Sequence, residues 1–393
     1  MKAASRPDAH GASERVSVPE RWDLFCHVVD NYGDIGATWR LARALAQRGI
    51  AVRLFADAPA ALDWMAPRGC EGVRVVRAPG LGPEGFRLGL DHQTGAAFEP
   101  AEVIVTTFGC QLPADVLEAA SRERTGGRAD GARGRIWIHL EYLSAEPYVE
   151  RSHGLASPLP GVATDALRKW FYFPGFTPAS GGLMREPELL ESMRRFDRRA
   201  WLAARGVAWA GEPVVSLFCY EPASLGPWLA GLSGTRLRLL VAHGRTARAY
   251  EQAAGARSTG EPGGLQASLL PALEQSDYDH LLWASDVNFV RGEDSLVRAL
   301  WAGVPLVWQA YPQSEDAHRS KVAAFLDWLQ APASLRRFTL RWNGLEPGPL
   351  PPLLESAAAD DWRQAVIHAR AGLLAQDDLV SRLLRFVTEK RLK

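Results

Sequence analysis

The chain has 393 residues and carries 45 basic against 45 acidic side chains, so its formal net charge at pH 7 is zero. Because a single hydrophobic core stops growing at roughly 250–300 residues, this length predicts two domains. Hydrophobic residues make up 47% of the chain and charged residues 23%, which is typical of a folded globular protein. The balanced charge argues against a protein that holds nucleic acid through excess basic side chains, so no direct nucleic-acid partner is expected.

The sequence gives no sign of secretion or of membrane insertion. Residues 1–20 are polar and lack the apolar core of a signal peptide, so they are predicted to be a disordered extension. No apolar stretch reaches the roughly 20 residues that cross a bilayer, and no membrane partner is expected. The four cysteines are scattered without a CxxC pair, which favours a reducing cytoplasm. Cys26 and Cys219 lie in apolar runs and are predicted to be buried.

The first half of the chain alternates short apolar runs with helical patterns, which is typical of a parallel α/β sheet. Strands are predicted at Trp22–Val29, Ala51–Phe55, Glu102–Thr107 and Arg135–Leu140. A helix is predicted from about Ala37 to Gln47. The Gly-, Pro- and Ser-rich segment Pro174–Met184 is predicted to end this unit, so the first domain should span residues 21–185.

A charged helix over Glu188–Ala204 leads to a second alternating series, predicted to form a domain over residues 205–359. Its predicted strands are Val214–Tyr220, Leu237–Ala242, Val287–Val290 and Leu306–Gln309. Its predicted helices are Asp277–Ala284, Ser295–Ala302 and Asp316–Leu329. A last helix, over residues 360–393, is expected to return and complete the first domain. Two doubly wound domains bind ligand where the carboxyl ends of their strands face a cleft, so the loops after strands are the candidate sites.

The first such loop is Asp30-Asn31-Tyr32-Gly33-Asp34-Ile35-Gly36. Its two carboxylates, Asp30 and Asp34, can accept a proton or bind a cation through paired hydrogen bonds. The loop lacks GxGxxG, so a nicotinamide cofactor is not indicated. An aspartate after a strand more often caps the next helix, and that alternative stays open for Asp34.

The second loop joins a predicted strand to a helix over Phe289–Ser295. Backbone N–H groups at a helix start, together with Arg291, predict an anion site suited to a diphosphate. Asp294 and Ser295 can bind a sugar hydroxyl. The alternative is a capped helix with Arg291 in a surface ion pair.

Aromatic residues mark two further strand ends, with Phe218 and Tyr220 at one and Tyr311 at the other. These rings can enclose a nucleobase, or they can be ordinary core residues. The histidines His139, His243 and His318 do not show metal-ligand spacing, so no metal site is predicted.

Five segments together resemble the family of protein-arginine rhamnosyltransferases that modify bacterial elongation factor P. They are FCHVVDNYGDIGATWRLARALA from Phe25, LEYLSAEPYVERSHGLASP from Leu140, FPGFTPASGGLMRE from Phe173, SLFCYE from Ser216, and DYDHLLWASDVNFVRGEDSLVRALWAGVPLVWQAYPQ from Asp277. The resemblance implies a GT-B fold, in which two Rossmann-like domains face a central cleft. It also implies dTDP-β-L-rhamnose as the donor, with no cofactor and no metal.

The resemblance also implies functions for individual residues. Asp34 matches the general base, Asp30 the aspartate that supports the acceptor, and Glu293 a further catalytic glutamate. The implied donor-binding residues are Asn31, Tyr32, Gly33, Phe218, Tyr220, Gln275, Arg291, Gly292, Asp294, Ser295 and Tyr311. One position departs from the family pattern, because Ala272 stands where relatives carry a phenylalanine that can stack on thymine.

The implied activity is an inverting transfer of rhamnose to one arginine of elongation factor P in the cytoplasm, which activates that factor for rescue of polyproline-stalled ribosomes. Inversion of the β-linked donor would give α-rhamnosyl-arginine. Two alternatives stay open on the residues alone. One is a GT-B glycosyltransferase with another acceptor, such as a lipid or a glycan. The other is a regulator that binds a nucleotide sugar without turnover.

Overall fold

The computed structural model describes residues 20–29, 32–81, 98–122, 134–161, 166–255, 264–312, 318–353 and 356–392. The predicted extension, apart from Glu20, lies outside these ranges. So do Asp30 and Asn31 of the first candidate loop. Strands and helices are numbered along the chain within the described ranges.

The first sheet has seven described strands in the order β3-β2-β1-β4-β5-β7-β6. These are β1 (Arg21–Cys26), β2 (Ala51–Ala56), β3 (Val73–Arg77), β4 (Val103–Thr107), β5 (Arg135–Leu140), β6 (Ala156–Ser157) and β7 (Leu167–Tyr172). All neighbours pair in parallel except β6 with β7. The central strands β1 and β4 are almost wholly buried, as expected for a parallel sheet covered on both faces, and the buried Asp23 of β1 pairs with Arg53 of β2.

Helices α1 (Gly33–Ala46), α2 (Leu62–Met65), α3 (Ala114–Ser121) and α4 (Tyr148–Ser152) belong to this part of the chain. On α1, Ile35, Trp39, Ala42 and Leu45 are buried and form one core with the apolar side chains of β1 and β2. Because the apolar residues recur at helical spacing, they hold α1 against the sheet and fix its first turn at the strand ends.

The second sheet has five described strands, all parallel, in the order β10-β9-β8-β11-β12. They are β8 (Val214–Leu217), β9 (Leu237–Val241), β10 (Leu265–Leu269), β11 (Val287–Arg291) and β12 (Leu306–Gln309). The accompanying helices are α5 (Leu189–Arg195), α6 (Arg198–Ala204), α7 (Leu225–Gly231), α8 (Arg245–Ala254), α9 (Gln275–Trp283), α10 (Gly292–Ala302), α11 (His318–Trp328) and α12 (Ala333–Trp342).

The predicted single C-terminal helix is two helices, α13 (Ser356–Leu374) and α14 (Leu379–Leu392). The break lies at Asp378, whose carboxylate accepts hydrogen bonds from the backbone N–H groups of Val380 and Ser381. Of the two helices, α13 contacts α10 and α12, whereas α14 contacts α1 and β5. The chain therefore passes from one sheet to the other at this break. None of the described helices is both long and apolar enough to cross a membrane.

Most predicted strands are confirmed, with ends that shift by a few residues. The predicted helix Glu188–Ala204 was wrong as one element, because Asp197 caps a separate helix by accepting a hydrogen bond from Ala200 N–H. The strands β3, β6, β7 and β10 were not predicted. Of these, β3, β6 and β10 are edge strands and β7 lies next to β6, and all four carry charged or polar residues, which weakens the apolar signal. Cys26 and Cys219 are buried, as predicted.

Candidate active site

Two adjoining cavities lie between the two sheets. The first is lined by Tyr32, Gly33, Arg40, Trp64, Met65, Phe218, Ala242, His243, Pro271, Ala272, Leu273, Gln275, Tyr278, Arg291, Gly292, Glu293, Asp294 and Ser295. The lining of the second includes Val29, Gly33, Asp34, Tyr142, Glu146, Tyr148, Tyr220, Gly292, Glu293, Asp294, Tyr311, His318 and Lys321. Gly33 and the first turn of α10 belong to both linings, so these residues separate the two spaces.

Arg291 ends β11 at the edge of the first cavity and is only 4% exposed. Its guanidinium carbon lies 4.6 Å from the Phe218 ring centre and 4.5 Å from that of Tyr220. One of its nitrogens donates to the Cys219 carbonyl at 3.3 Å. Among the described residues it has no carboxylate within ion-pairing distance, so the predicted alternative of a surface ion pair is wrong. A buried cation without an acidic partner favours an anionic ligand.

Helix α10 begins directly after this arginine, and no side chain caps its start. Gly292 has a backbone φ of 66°, which a residue with a Cβ rarely adopts. The Ser295 hydroxyl donates to the Arg291 carbonyl. The free N–H groups at a helix start carry partial positive charge, so they add to the anion-binding character of Arg291.

The predicted aromatic residues divide between the two cavities. Phe218 lines the first cavity, whereas Tyr220 and Tyr311 line the second. The two tyrosine rings meet edge to face with centres 5.5 Å apart. Tyr220 is 1% exposed and Tyr311 is 47% exposed, so only Tyr311 offers a free face at the cavity mouth.

Asp34 is the second residue of α1 and is 5% exposed. Its carboxylate accepts a hydrogen bond from Val29 N–H at 2.8 Å. The N-cap position of α1 is Tyr32, so Asp34 is not the capping residue that the alternative interpretation predicted. Burial raises the pKa of Tyr142, and the charges of Asp34 and Glu293 raise it further. The phenol of Tyr142 therefore lies near both carboxylates.

Glu293 connects the two halves of the site. One carboxylate oxygen accepts the Leu143 backbone N–H at 2.7 Å, from the loop after β5. The other oxygen forms an ion pair with Lys321 of α11. Leu143 lies in a loop of the first sheet and Lys321 in a helix that follows the second sheet, so the carboxylate is oriented from both sides. Lys321 had no distinguishing signal in the sequence.

Gln275 begins α9 and lines the first cavity. Its amide nitrogen donates to the Gly36 carbonyl of α1 at 2.9 Å. Its amide oxygen is buried and has no hydrogen-bond partner among the described residues. A Cβ at position 36 would lie 3.3 Å from the Gln275 amide nitrogen and 2.9 Å from the terminal methyl of Met65. Both contacts are with the ends of side chains, so an alanine at position 36 would require Met65 and Gln275 to shift.

The structure thus brings the described candidate residues around one pair of cavities. Asp30 and Asn31 lie outside the described residues, so their predicted functions stay predictions. The residues that sequence reasoning missed are Arg40, Trp64, Tyr142 and Lys321. Each of them lies in a helix or loop where its type is common, and only the packing of the domains places it at the site.

Comparison with known proteins agrees with this geometry. The sequence profile of the family described as "Elongation-Factor P (EF-P) rhamnosyltransferase EarP" matches residues 22–388. The chain belongs to this family. It is 41% identical to the protein-arginine rhamnosyltransferase of Pseudomonas putida, over 93% of this chain and 98% of the relative. It is 39% identical to the protein-arginine rhamnosyltransferase of Pseudomonas aeruginosa, over 94% of this chain and 99% of the relative.

A solved structure described as "Structural basis for EarP-mediated arginine glycosylation of translation elongation factor EF-P" is also similar. It shares 29% identity with this chain at a TM-score of 0.54, and the match covers 93% of this chain and 98% of that one. The predicted fold is confirmed: two Rossmann-like domains face a cleft in the GT-B arrangement. The predicted enzyme class is confirmed as well, and members of this family transfer rhamnose to a protein arginine.

Proposed function

We propose that this enzyme transfers L-rhamnose from dTDP-β-L-rhamnose to one arginine of elongation factor P, with inversion at the anomeric carbon, in the cytoplasm. The observation that carries the proposal is Arg291, a buried cation that has no carboxylate partner among the described residues and lies beside the uncapped start of α10. This anion site adjoins a second cavity that contains the carboxylates of Asp34 and Glu293.

The first cavity suits the donor. A nucleoside diphosphate carries its negative charge at the diphosphate, which Arg291 and the N–H groups of α10 can bind together. Asp294 and Ser295 follow in the same turn and offer oxygen atoms to a sugar hydroxyl. Tyr32 and Gly33 line the cavity opposite the start of α10, from the first domain.

The base end of the donor fits the other wall of this cavity. The unpartnered amide oxygen of Gln275 is an acceptor, and the N3–H group of thymine is a donor. Where relatives carry a phenylalanine, Ala272 is small, but Trp64 and Phe218 supply aromatic faces in the same cavity. Met65 adds an apolar surface for the thymine methyl group.

The second cavity suits a cationic acceptor. Its titratable lining includes the carboxylates of Asp34, Glu146 and Glu293 against the single ammonium of Lys321 among the described lining residues. Tyr142 and Tyr148 are 37% and 40% exposed, and their rings can contact a guanidinium. Since the family is named for elongation factor P, an arginine of that protein is the proposed occupant.

The proposed reaction is a single displacement. A guanidinium has a pKa above about 12, so it becomes a nucleophile only as a proton leaves its nitrogen. We propose that Asp34 takes this proton while the nitrogen bonds to the anomeric carbon. The bond from that carbon to the diphosphate oxygen breaks at the same time, and dTDP leaves against Arg291 and the start of α10. Attack opposite the leaving group converts the β-linked donor to α-rhamnosyl-arginine, and no step requires a metal or a cofactor.

The decisive experiment is incubation of the enzyme with dTDP-β-L-rhamnose and elongation factor P, followed by intact and peptide mass spectrometry. We expect one deoxyhexose on one arginine, with the α-anomer identified by NMR. UDP-linked sugars and a version of elongation factor P without that arginine are the controls. Binding of the donor without any product would favour a regulator, and transfer to a lipid or glycan alone would contradict the proposed acceptor.

A further inference from the structure

Arg40 is a buried arginine that joins the two domains. It lies on α1 of the first domain and is 2% exposed. Its three nitrogens donate to Asp294 at 3.2 Å, to Glu186 at 3.1 Å and to Asp279 at 3.3 Å. These carboxylates belong to α10, to the segment before α5, and to α9. One side chain therefore ties α1 to three segments outside the first sheet.

A second arginine shares two of these partners but not the third. Arg298 of α10 donates to both oxygens of Asp279, at 2.8 and 2.7 Å, and to Glu186 at 2.6 Å. Asp279 therefore contacts two guanidinium groups, and Glu186 contacts three, because Arg43 also lies 4.0 Å from it. Within the described part of the chain, Asp294 has Arg40 as its one cationic partner. Loss of Arg40 would leave this carboxylate without an opposing charge.

The two arginines also differ in where they lie relative to the cavities. Arg40 and Asp294 both line the first cavity, whereas Arg298, Glu186 and Asp279 are absent from the described linings of both cavities. The cluster thus has an interior half, which links α9, α10 and the segment before α5, and one ion pair that reaches the ligand space.

The helices that carry this ion pair also carry the proposed catalytic carboxylates. Asp34 lies in the first turn of α1, on the same helix as Arg40. Glu293 directly precedes Asp294 in the first turn of α10. A contact between Arg40 and Asp294 therefore fixes how the starts of α1 and α10 face each other.

We propose that Arg40 is a positioning residue for transfer, which acts by holding Asp294 against the donor and by setting the two helix starts in register across the cleft. The inference rests on the proposed function, because it takes the first cavity as the donor site. Arg298 has the same charge and burial in the same cluster, so it serves as the matched control.

A double-mutant cycle on full-length enzyme tests this proposal. The variants are Arg40→Met, Asp294→Asn, their combination, Arg298→Met, and Arg298→Met with Asp294→Asn. For each variant, kcat and the donor KM are measured at saturating elongation factor P, and thermal unfolding is followed in parallel. Calorimetry of donor binding to the wild-type enzyme is the reference. If the wild type neither binds nor uses the donor, the proposed function is refuted, whatever the double-mutant cycle shows.

We expect Arg40→Met to lower kcat/KM for the donor by about tenfold or more, as for loss of a charged hydrogen bond. In the Asp294→Asn background the same change should have little further effect, because the partner at the cavity is already gone and Arg298 still pairs with Glu186 and Asp279. Arg298→Met should lower kcat/KM by the same factor in both backgrounds. Arg40→Lys, which keeps the charge, should recover part of the loss.

Two results would overturn the inference. One is that the factors by which Arg40→Met and Asp294→Asn lower kcat/KM multiply in the double variant, as is expected for Arg298→Met combined with Asp294→Asn. The other is that Arg40→Met lowers the melting temperature while kcat and KM stay at wild-type values. If Arg40→Met does not fold, the same cycle with Arg40→Lys decides by the same criterion.

Discussion

Within the described part of the chain, the Arg291 guanidinium lies against two aromatic rings and has no carboxylate within ion-pairing distance. Its carbon is 4.6 and 4.5 Å from the ring centres of Phe218 and Tyr220, and such cation–π attraction leaves the nitrogens able to donate hydrogen bonds. Arg245 offers a contrast nearby, because it also lies over Tyr220, at 5.3 Å, but forms an ion pair with Glu221. Arg245 has a carboxylate partner and Arg291 has none among the described residues, and for this reason we propose the diphosphate site at Arg291.

Replacement of Arg291 tests that assignment. We expect Arg291→Ala to weaken binding of dTDP-β-L-rhamnose by about tenfold or more, because a charge-assisted contact to the diphosphate is lost. Calorimetry measures the affinity. Arg245→Ala is the control and should change the affinity much less, since its charge is already paired with Glu221. Equal effects of the two changes would contradict a specific contact at Arg291.

Asp34→Asn keeps an oxygen that can accept the Val29 N–H but removes the base. We expect kcat to fall by about 10²–10⁴-fold, the range for loss of a general base. Donor affinity should stay within a few-fold of wild type, because Asp34 lines the second cavity and not the first. Transfer at the wild-type rate would show that another group removes the proton.

At the scale of elements, α10 carries a residue with positive φ at each end. Gly292 at its start has φ of 66°, and Gly303 at its left-handed C-cap has φ of 73°. A Cβ at position 303 would lie 3.1 Å from the Arg370 side chain. Only the first of the two glycines lines the cavities. Substitutions at the two ends of α10 can therefore distinguish the effect of backbone strain on stability from an effect on ligand binding.

We expect Gly292→Ala and Gly303→Ala each to lower the free energy of unfolding by about 1–2 kcal/mol, because a left-handed backbone is strained with a Cβ. Only Gly292→Ala should also weaken donor binding, since it displaces the N–H groups at the helix start. Chemical denaturation and calorimetry measure the two effects. A loss of donor affinity in both variants would show that the helix as a whole, and not its start, sets the affinity.

At the scale of the molecule, the chain returns to its first sheet through α14, and a partly buried histidine lies at this junction. His153 contacts the rings of Tyr172 and Phe386, and its Nδ1 accepts the Phe173 N–H at 3.1 Å. Burial lowers its pKa from 6.5 to about 4. The folded chain therefore holds this histidine neutral at a pH where the unfolded chain protonates it.

Stability should fall as the pH drops from 7 to 5, because the unfolded state binds the proton first. One such histidine contributes at most about 2 kcal/mol over this interval, and less where solvent screens the charge. We expect His153→Asn to reduce the fall in melting temperature, while His368→Asn on the exposed face of α13 leaves it unchanged. An unaltered pH dependence in His153→Asn would show that other groups cause the acid sensitivity.

The sequence predicted the alternation of strands and helices, because a buried parallel sheet favours short apolar runs such as Val103–Val105 of β4 and Leu306–Trp308 of β12. It missed β3 and β10, since edge strands carry polar residues. The break at Asp378 was also missed, because the residues around it read as helix in a local window. The predicted domain boundaries and the functions of individual site residues stay predictions.

What the sequence determined by itself was the family, the fold class and the chemical types at the strand ends, because these depend on local pattern and on matching segments. Tertiary structure decided which groups meet. Arg40 reads as an ordinary helical arginine, and only the packing of α1 against α10 places it beside Asp294. Likewise, Glu293 acquires Leu143 and Lys321 from opposite sides of the cleft. Contacts of this kind join residues far apart in the chain, so no local pattern specifies them. The chain has no net charge, yet the fold places a buried cation at the proposed diphosphate site and carboxylates in the proposed acceptor cavity.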